Sequence, residues 1–133
     1  LRGSSVSQLM TRVVETVPPD ISLAEFIEAY LLPRREQTFV VSDGASALGI
    51  IASEHIKRVP RAEWNLRRVR EVMTPRANLA SLTPAQNAAS ALARLSASEQ
   101  EELPVIEADQ VVGFLGQSTL ARYLKLKSDF ARK

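Results

Sequence analysis

One segment in the first half of the chain repeats apolar residues at the spacing of a single helical face. Its apolar positions are Leu23, Phe26, Ile27, Tyr30 and Leu31. Ser22 precedes Glu25 by three residues, which is the pattern of a capping box at a helix start. Pro33 removes a backbone donor and ends the pattern. The sequence therefore predicts an amphipathic helix from Ser22 to the residue before Pro33.

A second segment with the same spacing lies in the other half of the chain. Its apolar positions are Ala88, Ala91, Leu92 and Leu95. Asn87 is one candidate for the N-cap, and Thr83-Pro84 is an earlier alternative start. This helix presents a smaller, alanine-rich face.

Two short apolar strands follow each helix. They are predicted at residues 38–41 and 48–51 in the first half and at residues 103–106 and 111–115 in the second. Asp43-Gly44 and Ala108-Asp109 supply the turns, so each pair is typical of a hairpin. A closing helix is predicted at residues 54–59 and at residues 118–127, the latter capped by Ser118.

The two halves repeat the same blocks in the same order. Residues 6–11 are echoed by residues 69–74, Pro19 by Pro84, residues 40–41 by residues 105–106, and residues 49–51 by residues 113–115. Four matched blocks in one order indicate an internal duplication.

The duplication predicts an α+β (α/β) fold in which each unit is a three-stranded sheet with two helices. Helices on one side leave the other sheet face uncovered, so we expect the two units to pack face to face about a pseudo-two-fold axis. The predicted limits are 1–60 for the first domain, 61–68 for a connector, 69–127 for the second domain and 128–133 for a tail. Trp64 in the connector is interpreted as an anchor on a core edge, with ligand stacking as the alternative.

The amino-acid composition excludes several classes of functional site. The 133 residues are 45% hydrophobic and 24% charged with a net charge of +2, which is typical of a folded protein and gives no indication of nucleic-acid binding. The chain has no cysteine and one histidine, His55. Disulfides, thiolate metal sites and cysteine nucleophiles are excluded, and any Ser/His/Asp triad would require His55. We therefore expect no enzymatic activity and no metal site in this chain.

The chain has no apolar run long enough to span a membrane and no signal-peptide pattern. It begins at Leu1 rather than Met, so we expect it to be part of a longer polypeptide.

The repeated blocks resemble the cystathionine-beta-synthase (CBS) domain over about residues 6–126. The residues that carry the resemblance are Val72-Met73-Thr74, Val17-Pro18-Pro19-Asp20, Phe39-Val40-Val41 and Leu48-Gly49-Ile50-Ile51, with Leu103-Pro104-Val105-Ile106 and Val112-Gly113-Phe114-Leu115 in the second copy. The resemblance implies a tandem regulatory (Bateman) module that binds adenosyl ligands, regulates an attached protein and associates into a homodimer.

A narrower resemblance concerns the attached protein. Leu1-Arg2-Gly3, residues 30–35 and residues 59–64 look like the CBS tail of bacterial site-two-type intramembrane zinc metalloproteases. This resemblance implies a cytoplasmic module tethered to the inner (cell) membrane by a preceding protease domain. Zinc would belong to that domain, because its His-Glu-x-x-His motif does not occur in this chain.

Adenosyl-binding members of the family carry a Ser/Thr-x-x-Asp motif whose carboxylate accepts hydrogen bonds from the ribose hydroxyls. The matching segments here are residues 52–55 and 116–119, and both lack the aspartate. Only His55 and Thr119 occupy those places, and each would accept a single hydrogen bond. The predicted sites are therefore degenerate, and a ligand-free structural role is the preferred interpretation over adenine-nucleotide binding.

Other residues support a ligand site. The full candidate set is Thr11, Thr16, His55, Arg58, Thr74, Thr119 and Arg122. The threonines border the family's clefts, and Arg58 and Arg122 would face phosphates. The alternative for each is structural: a threonine satisfies its own backbone, and a helix arginine is solvated.

The segment from Lys57 to Arg76 contains seven Lys or Arg residues against Glu63 and Glu71. It is interpreted as a solvated connector, with attraction to anionic lipid headgroups or to an acidic partner as alternatives. Glu99, Glu101 and Glu102 are interpreted as solvated charge rather than an acid/base pair.

Overall fold

The structure is a computed structural model that describes residues 4–35 and 38–131. The chain forms two compact units. The central unit contains Val14–Leu79, and the terminal unit combines Leu1–Val13 with Ala80–Lys133. Sheets and helices occur in both units, which confirms the predicted α+β class.

The central unit contains a four-stranded sheet in the order β1-β2-β3-β4. Its elements are β1 (Thr16–Val17), α2 (Leu23–Phe26) continued by a π-helix (Ile27–Leu31), β2 (Thr38–Ser42), β3 (Ala47–Ala52), α3 (Ser53–Lys57), a 3-10 turn (Arg61–Glu63), α4 (Val69–Val72), β4 (Thr74–Pro75) and a 3-10 turn (Arg76–Asn78). β1 runs parallel to β2, and the other neighbours are antiparallel. The two predicted hairpin strands are thus present, and each extends slightly beyond its predicted limits.

The first helix starts as predicted but does not stay α-helical. The Ser22 side chain accepts a hydrogen bond of 3.1 Å from the Glu25 N–H. From Ile27 onward the turns are π-helical, and the Leu32 N–H donates to the Ile27 carbonyl at 2.9 Å. Pro33 has no N–H to bond the Ala29 carbonyl, which instead accepts from Arg34 Nη1 at 2.7 Å. The Arg34 side chain thus supplies the donor that Pro33 cannot provide at the end of the helix.

The core of the central unit lies between its sheet and its helices. Its buried residues are Val17, Leu23, Phe26, Phe39, Val41, Ile51, Ile56, Val59 and Val69. The rings of Phe26 and Phe39 meet edge to face with centroids 5.2 Å apart, so helix α2 and strand β2 share one contact at its centre.

The terminal unit repeats this arrangement with fewer regular strands. Its elements are α1 (Val6–Leu9), α5 (Ala88–Ala97), β5 (Glu102–Glu107), β6 (Gln110–Gly116) and α6 (Gln117–Ala131). Single bridges extend the β5-β6 hairpin on both sides: Leu82 pairs in parallel with Val105, and Thr11 pairs antiparallel with Phe114. Asn87 caps α5 by accepting from the Ser90 N–H at 2.8 Å, which selects it over the earlier start at Thr83-Pro84. The core residues are Val6, Met10, Leu82, Ala88, Ala91, Leu95, Leu103, Val105, Leu115 and Leu120.

The predicted three-stranded sheet is wrong in one respect, because each unit has a fourth extended segment. In the central unit this segment is β4, which belongs to the second repeat; in the terminal unit it is Thr11, which belongs to the first. Glycine permits the approach in both places. A Cβ on Gly49 would overlap the Thr74 carbonyl, and a Cβ on Gly113 would lie 2.7 Å from the Thr11 carbonyl oxygen.

The compact units divide the chain differently from the predicted domain limits. Val6 of α1 is buried in the terminal core, and Val69 of α4 is buried in the central core. Each repeat therefore contributes its first helix to the unit formed mainly by the other repeat. The limits at residues 60 and 69 describe the sequence repeat rather than these units.

The closing helices also differ from their predicted limits. Helix α3 ends at Lys57, and α6 begins at Gln117, whose N–H donates to the Glu101 carbonyl at 3.0 Å. Ser118 therefore lies inside the first turn and is not the cap. Helix α6 continues through residues 128–131, which were assigned to a tail, and residues 132–133 lie outside the described part. Among the described residues, no helix is both long and apolar enough to cross a membrane.

Candidate functional site

His55 and Thr74 form the best-defined polar contact among the candidate residues. His55 lies in α3, and its Nδ1 accepts a hydrogen bond of 3.0 Å from the Ala52 N–H. Its Nε2 lies 2.8 Å from Thr74 Oγ1 in the neighbouring edge strand β4. Because Nδ1 uses its lone pair as the acceptor, the neutral ring carries its proton on Nε2 and donates it to the threonine. Both ring nitrogens are therefore engaged within the central unit.

The surroundings of His55 favour its neutral form. Partial burial lowers the pKa of the imidazole below its ordinary value, and the nearby Arg58 lowers it further. The Ala52 carbonyl, 3.3 Å from Nδ1, and the Glu54 carboxylate act in the opposite direction. The net shift is downward, so His55 is an uncharged structural hydrogen-bonding group near neutral pH.

The other central-unit candidates do not join this pair. Thr16 is an exposed residue of β1, at the opposite edge of the sheet from Thr74. Arg58 is the exposed residue that follows α3. The structure thus brings together two of the four candidates in this unit and separates Thr16 from them.

The equivalent positions in the terminal unit carry no matching contact. Thr119 takes the place of His55 in the repeat and lies exposed in the first turn of α6. Thr11 takes the place of Thr74, and its backbone exchanges hydrogen bonds of 2.8 and 2.9 Å with Phe114. Within residues 4–35 and 38–131, no hydrogen bond joins Thr11 to Thr119. The terminal unit therefore keeps the strand pairing but lacks the side-chain bond.

Thr119 and Arg122 instead line an open groove on the terminal unit. The groove has a volume of about 600 Å³ and is lined by Leu9, Thr119, Arg122, Tyr123, Leu126 and Lys127. Its walls are mainly apolar, with two cationic side chains among them. It is the place where the structure groups predicted site residues other than His55 and Thr74.

Four groove residues were not predicted from the sequence, namely Leu9, Tyr123, Leu126 and Lys127, and Tyr123 has the most polar contacts among them. Its hydroxyl accepts a hydrogen bond of 2.9 Å from the Ser4 N–H and lies 3.4 Å from Lys127 Nζ. These bonds lower the pKa of the phenol, the bond from Ser4 contributing most. The available signal was its helical spacing, because Tyr123 follows Thr119 by one turn.

The connector packs on the central unit. The Trp64 indole N–H donates to the Val59 carbonyl at 3.0 Å, and its ring contacts the central core. Arg61 lies over the ring, 5.5 Å from its centroid. These contacts confirm the interpretation of Trp64 as an anchor.

Much of the basic segment is paired within the protein. Arg67 lies between Glu63 and Glu71 at 3.3 and 2.9 Å. Arg70 forms an ion pair of 3.0 Å with Asp20, and Arg68 donates to the Asp20 carbonyl at 2.6 Å. The segment is therefore less available to anionic surfaces than its sequence suggests.

His55 and Thr119, which take equivalent places in the two repeats, are not carboxylates. Across the part of the chain that the structure describes, no cluster of metal-ligating side chains occurs.

The family model for the CBS domain matches residues 6–61 and 69–126. The chain belongs to the CBS-domain family. It is a tandem CBS pair, a class of regulatory module. The resemblance of residues 30–35 and 59–64 to a protease tail is not supported by this match, and Leu1-Arg2-Gly3 lies outside the described residues.

Solved structures share the fold of the CBS pair. CBSX2, a CBS-pair protein from Arabidopsis thaliana, was solved in complex with AMP. It is 21% identical to this chain, the match covers 94% of this chain and 99% of the CBSX2 chain, and the TM-score is 0.76. ATU1752 from Agrobacterium tumefaciens is 19% identical over 92% and 95% of the two chains, with a TM-score of 0.75. The CBS pair of MJ0100, solved with 5′-methylthioadenosine and S-adenosyl-L-methionine, is 19% identical over 93% and 98%, with a TM-score of 0.74. No curated protein matches the sequence significantly.

Proposed function

We propose that this CBS pair regulates an attached protein through protein contacts and that its ribose-recognition positions have lost that role. The observation that carries the proposal is the engagement of both His55 ring nitrogens, one by the Ala52 N–H and one at Thr74 Oγ1. The side chain at the family's aspartate position is thereby used to hold α3 against β4.

The chemistry of ribose recognition supports this proposal. Two vicinal hydroxyls offer two donors, and a carboxylate accepts both because it carries acceptors only. In the described geometry His55 has no second acceptor to offer, and Thr119 offers one hydroxyl. Neither replaces a bidentate carboxylate.

Adenine-nucleotide binding is the second candidate. Two related CBS pairs were solved with adenosyl ligands, AMP in one and 5′-methylthioadenosine with S-adenosyl-L-methionine in the other. In this chain Arg122 and Lys127 place two cations in one groove, which is the arrangement that phosphate requires. Thr11, Thr16 and Arg58 would complete the candidate sites.

A thermal-shift panel separates the two candidates. The module is melted with adenosine, AMP, ADP, ATP or S-adenosylmethionine, since a ligand that binds the native state stabilises it by RT ln(1 + [L]/Kd). We expect no shift for the wild type at ligand concentrations of about 1 mM, the range of weak sites. A concentration-dependent shift with any of the five contradicts the proposal and supports nucleotide sensing.

Restoring the carboxylate provides a matched gain-of-function test. Thr119→Asp places an acceptor pair at the vacant position without removing a hydrogen bond, whereas His55→Asp also removes the contact with Thr74. We expect Thr119→Asp to acquire an AMP-dependent shift. If AMP left the melting temperature of Thr119→Asp unchanged and yet bound to the wild type, the assignment of positions 55 and 119 to ribose recognition would be contradicted.

We also propose, from the resemblance of residues 30–35 and 59–64, that the regulated protein is an intramembrane zinc metalloprotease. The module would then lie at the cytoplasmic face of the membrane and act as a homodimer. The sequence encoded before Leu1 tests this: apolar spans with a His-Glu-x-x-His motif support it, and a soluble enzyme contradicts it. Residues 57–76 would contribute only weak attraction to lipid headgroups because Arg67 and Arg70 are paired internally.

A further inference from the structure

The groove of the terminal unit combines an apolar floor with cationic walls. Leu9, Tyr123 and Leu126 supply the apolar surface, and Arg122 and Lys127 supply the charge. We propose that this groove docks an acidic amphipathic segment of a partner protein. The proposal rests on the proposed regulation through protein contacts, and it competes with the nucleotide candidate, which would use the same two cations.

The floor of the groove is held in place before any partner binds. The Tyr123 hydroxyl accepts a hydrogen bond of 2.9 Å from the Ser4 N–H, which favours the observed orientation of the ring. Lys127 Nζ lies 3.4 Å from the same hydroxyl and 5.8 Å from the ring centroid. A side chain that is already ordered loses less entropy on binding, so both residues are suited to a docking role.

Apolar surface continues past the groove along α6. Leu126 is 38% exposed, and Phe130, one helical turn further, is 73% exposed. Residues four apart lie on one face of a helix, so the two side chains extend the apolar floor in one direction. An elongated apolar strip bordered by charge fits the apolar face of an amphipathic segment.

Charge complementarity identifies the kind of segment. Lys125 is neutralised by Asp129 at 3.2 Å, whereas no carboxylate within the described ranges pairs with Arg122. Arg122 and Lys127 are five residues apart, which is about 7.5 Å along the helix axis. Five residues also turn the helix by about 140°, so the two cations lie on either side of the apolar strip. A segment with carboxylates on both sides of its apolar face would therefore pair with both cations.

The concave shape favours a peptide over a membrane surface. Leu9 is partly buried and packs on the terminal core, so it is less accessible than the exposed Leu126 and Phe130. A flat bilayer surface would reach Leu126 and Phe130 but not Leu9. A protruding side chain of a partner helix can occupy this depth.

A pair of synthetic peptides tests the proposal on the purified module. The probe is a fluorescently labelled helical peptide of about 15 residues with leucine on one face and glutamate beside it, and its twin replaces every glutamate by lysine. Binding is measured by fluorescence anisotropy at low and high salt. We expect the glutamate peptide to bind at least about tenfold more tightly than the lysine peptide, with the difference reduced at high salt.

Variants assign the binding to the groove. Arg122→Glu alone should weaken binding of the glutamate peptide, and Arg122→Glu with Lys127→Glu should weaken it by about tenfold or more. Arg94→Glu, on the exposed surface of α5, makes the same charge change as Arg122→Glu but outside the groove, and it should leave the affinity within about twofold. Leu126→Ser should weaken the binding of both peptides. Circular dichroism verifies that each variant is folded.

Three results would overturn the proposal. The first is equal binding of the two peptides, or none, by the wild type. The second is unchanged affinity in the Arg122→Glu/Lys127→Glu variant. The third is evidence that something else occupies the same face. This would be binding to phosphatidylglycerol vesicles in cosedimentation, or dimer formation in sedimentation equilibrium, if the double variant abolishes it. A nucleotide-dependent thermal shift that Arg122→Glu/Lys127→Glu abolishes would contradict both the proposed function and peptide docking. A shift that this variant retains would contradict the proposed function alone.

Discussion

His55 Nε2 lies 2.8 Å from Thr74 Oγ1 and links the first turn of α3 to the edge strand β4. His55 belongs to the first sequence repeat and Thr74 to the second, so this bond fastens one repeat to the strand that the other contributes. The same imidazole accepts from the Ala52 N–H and so also caps the start of α3. One side chain therefore stabilises both a helix start and a strand edge.

The first prediction is that His55 and Thr74 are energetically coupled. Thr74→Val should lower the free energy of unfolding by about 1 kcal/mol, because it leaves a half-buried imidazole N–H without its partner. His55→Ala should cost more, since it also removes the acceptor of the Ala52 N–H. In urea denaturation, the double variant should lose less free energy of unfolding than the two single variants together, with a coupling energy of at least about 0.5 kcal/mol.

Thr16→Val, at the exposed opposite edge of the sheet, is the control and should change the free energy of unfolding by less than about 0.5 kcal/mol. Strict additivity would show that the contact carries no energy.

The second prediction concerns pH. Burial is the largest cause of the lowered pKa of His55, so the folded protein binds a proton less readily than the unfolded chain. The stabilisation is therefore complete above the ordinary value of 6.5 and is lost as the pH falls from there through the lower folded pKa. We expect the urea midpoint to fall over this range in the wild type and to be flatter in His55→Gln.

The carboxyl of Glu102 gives an internal contrast to this pH dependence. Glu102 is an exposed residue, but partial desolvation of its carboxyl and the nearby Glu101 raise its pKa above the ordinary value of 4.5. Its contribution is therefore complete below that value and is lost as the pH rises through the higher folded pKa. Glu102→Gln should remove this opposing slope without affecting the one due to His55. Equal slopes in wild type and His55→Gln would show that His55 does not titrate differently on folding.

The repeat and its periodic apolar residues were sufficient to predict the hairpins and the main helices, because those elements depend on residues close in sequence. The fourth strand of each sheet was not predictable in this way. Thr74-Pro75 and Thr11 are too short to show a strand pattern, and they pair with the sheet formed mainly by the other repeat. Gly49 and Gly113, which lie opposite them, are the sequence signal that could have pointed to a close approach of backbone.

The sequence predicted which residue types occupy the candidate site better than it predicted how the fold arranges them. The sequence shows that positions 55 and 119 carry no carboxylate, but the bond from His55 to Thr74 depends on how β4 pairs with the sheet. Tyr123 was missed because its role arises from Ser4, which lies at the far end of the chain.

The third prediction tests glycine at the crossing of backbone segments. Gly113→Ala should destabilise the protein by about 1–3 kcal/mol, because the new Cβ would lie 2.7 Å from the Thr11 carbonyl oxygen and 2.8 Å from Met10 Sδ. Gly116→Ala is the matched control on the same strand, where the nearest atoms are 3.3 and 3.4 Å away at Glu102 and Glu101. Gly116→Ala should lose clearly less stability than Gly113→Ala. Equal losses in thermal denaturation would contradict the close approach.

The fourth prediction uses Trp64, the single tryptophan of the chain. Trp64→Phe keeps an aromatic ring against the central core but removes the indole N–H that donates to the Val59 carbonyl, so it should cost about 1 kcal/mol. Trp64→Ala also removes the packing and should cost at least about twice as much, within the range for truncation of large side chains. Urea unfolding followed by circular dichroism measures both variants. If Trp64→Phe were as damaging as Trp64→Ala, the hydrogen bond would dominate over packing; if neither variant changed stability, the connector would not be anchored by this residue.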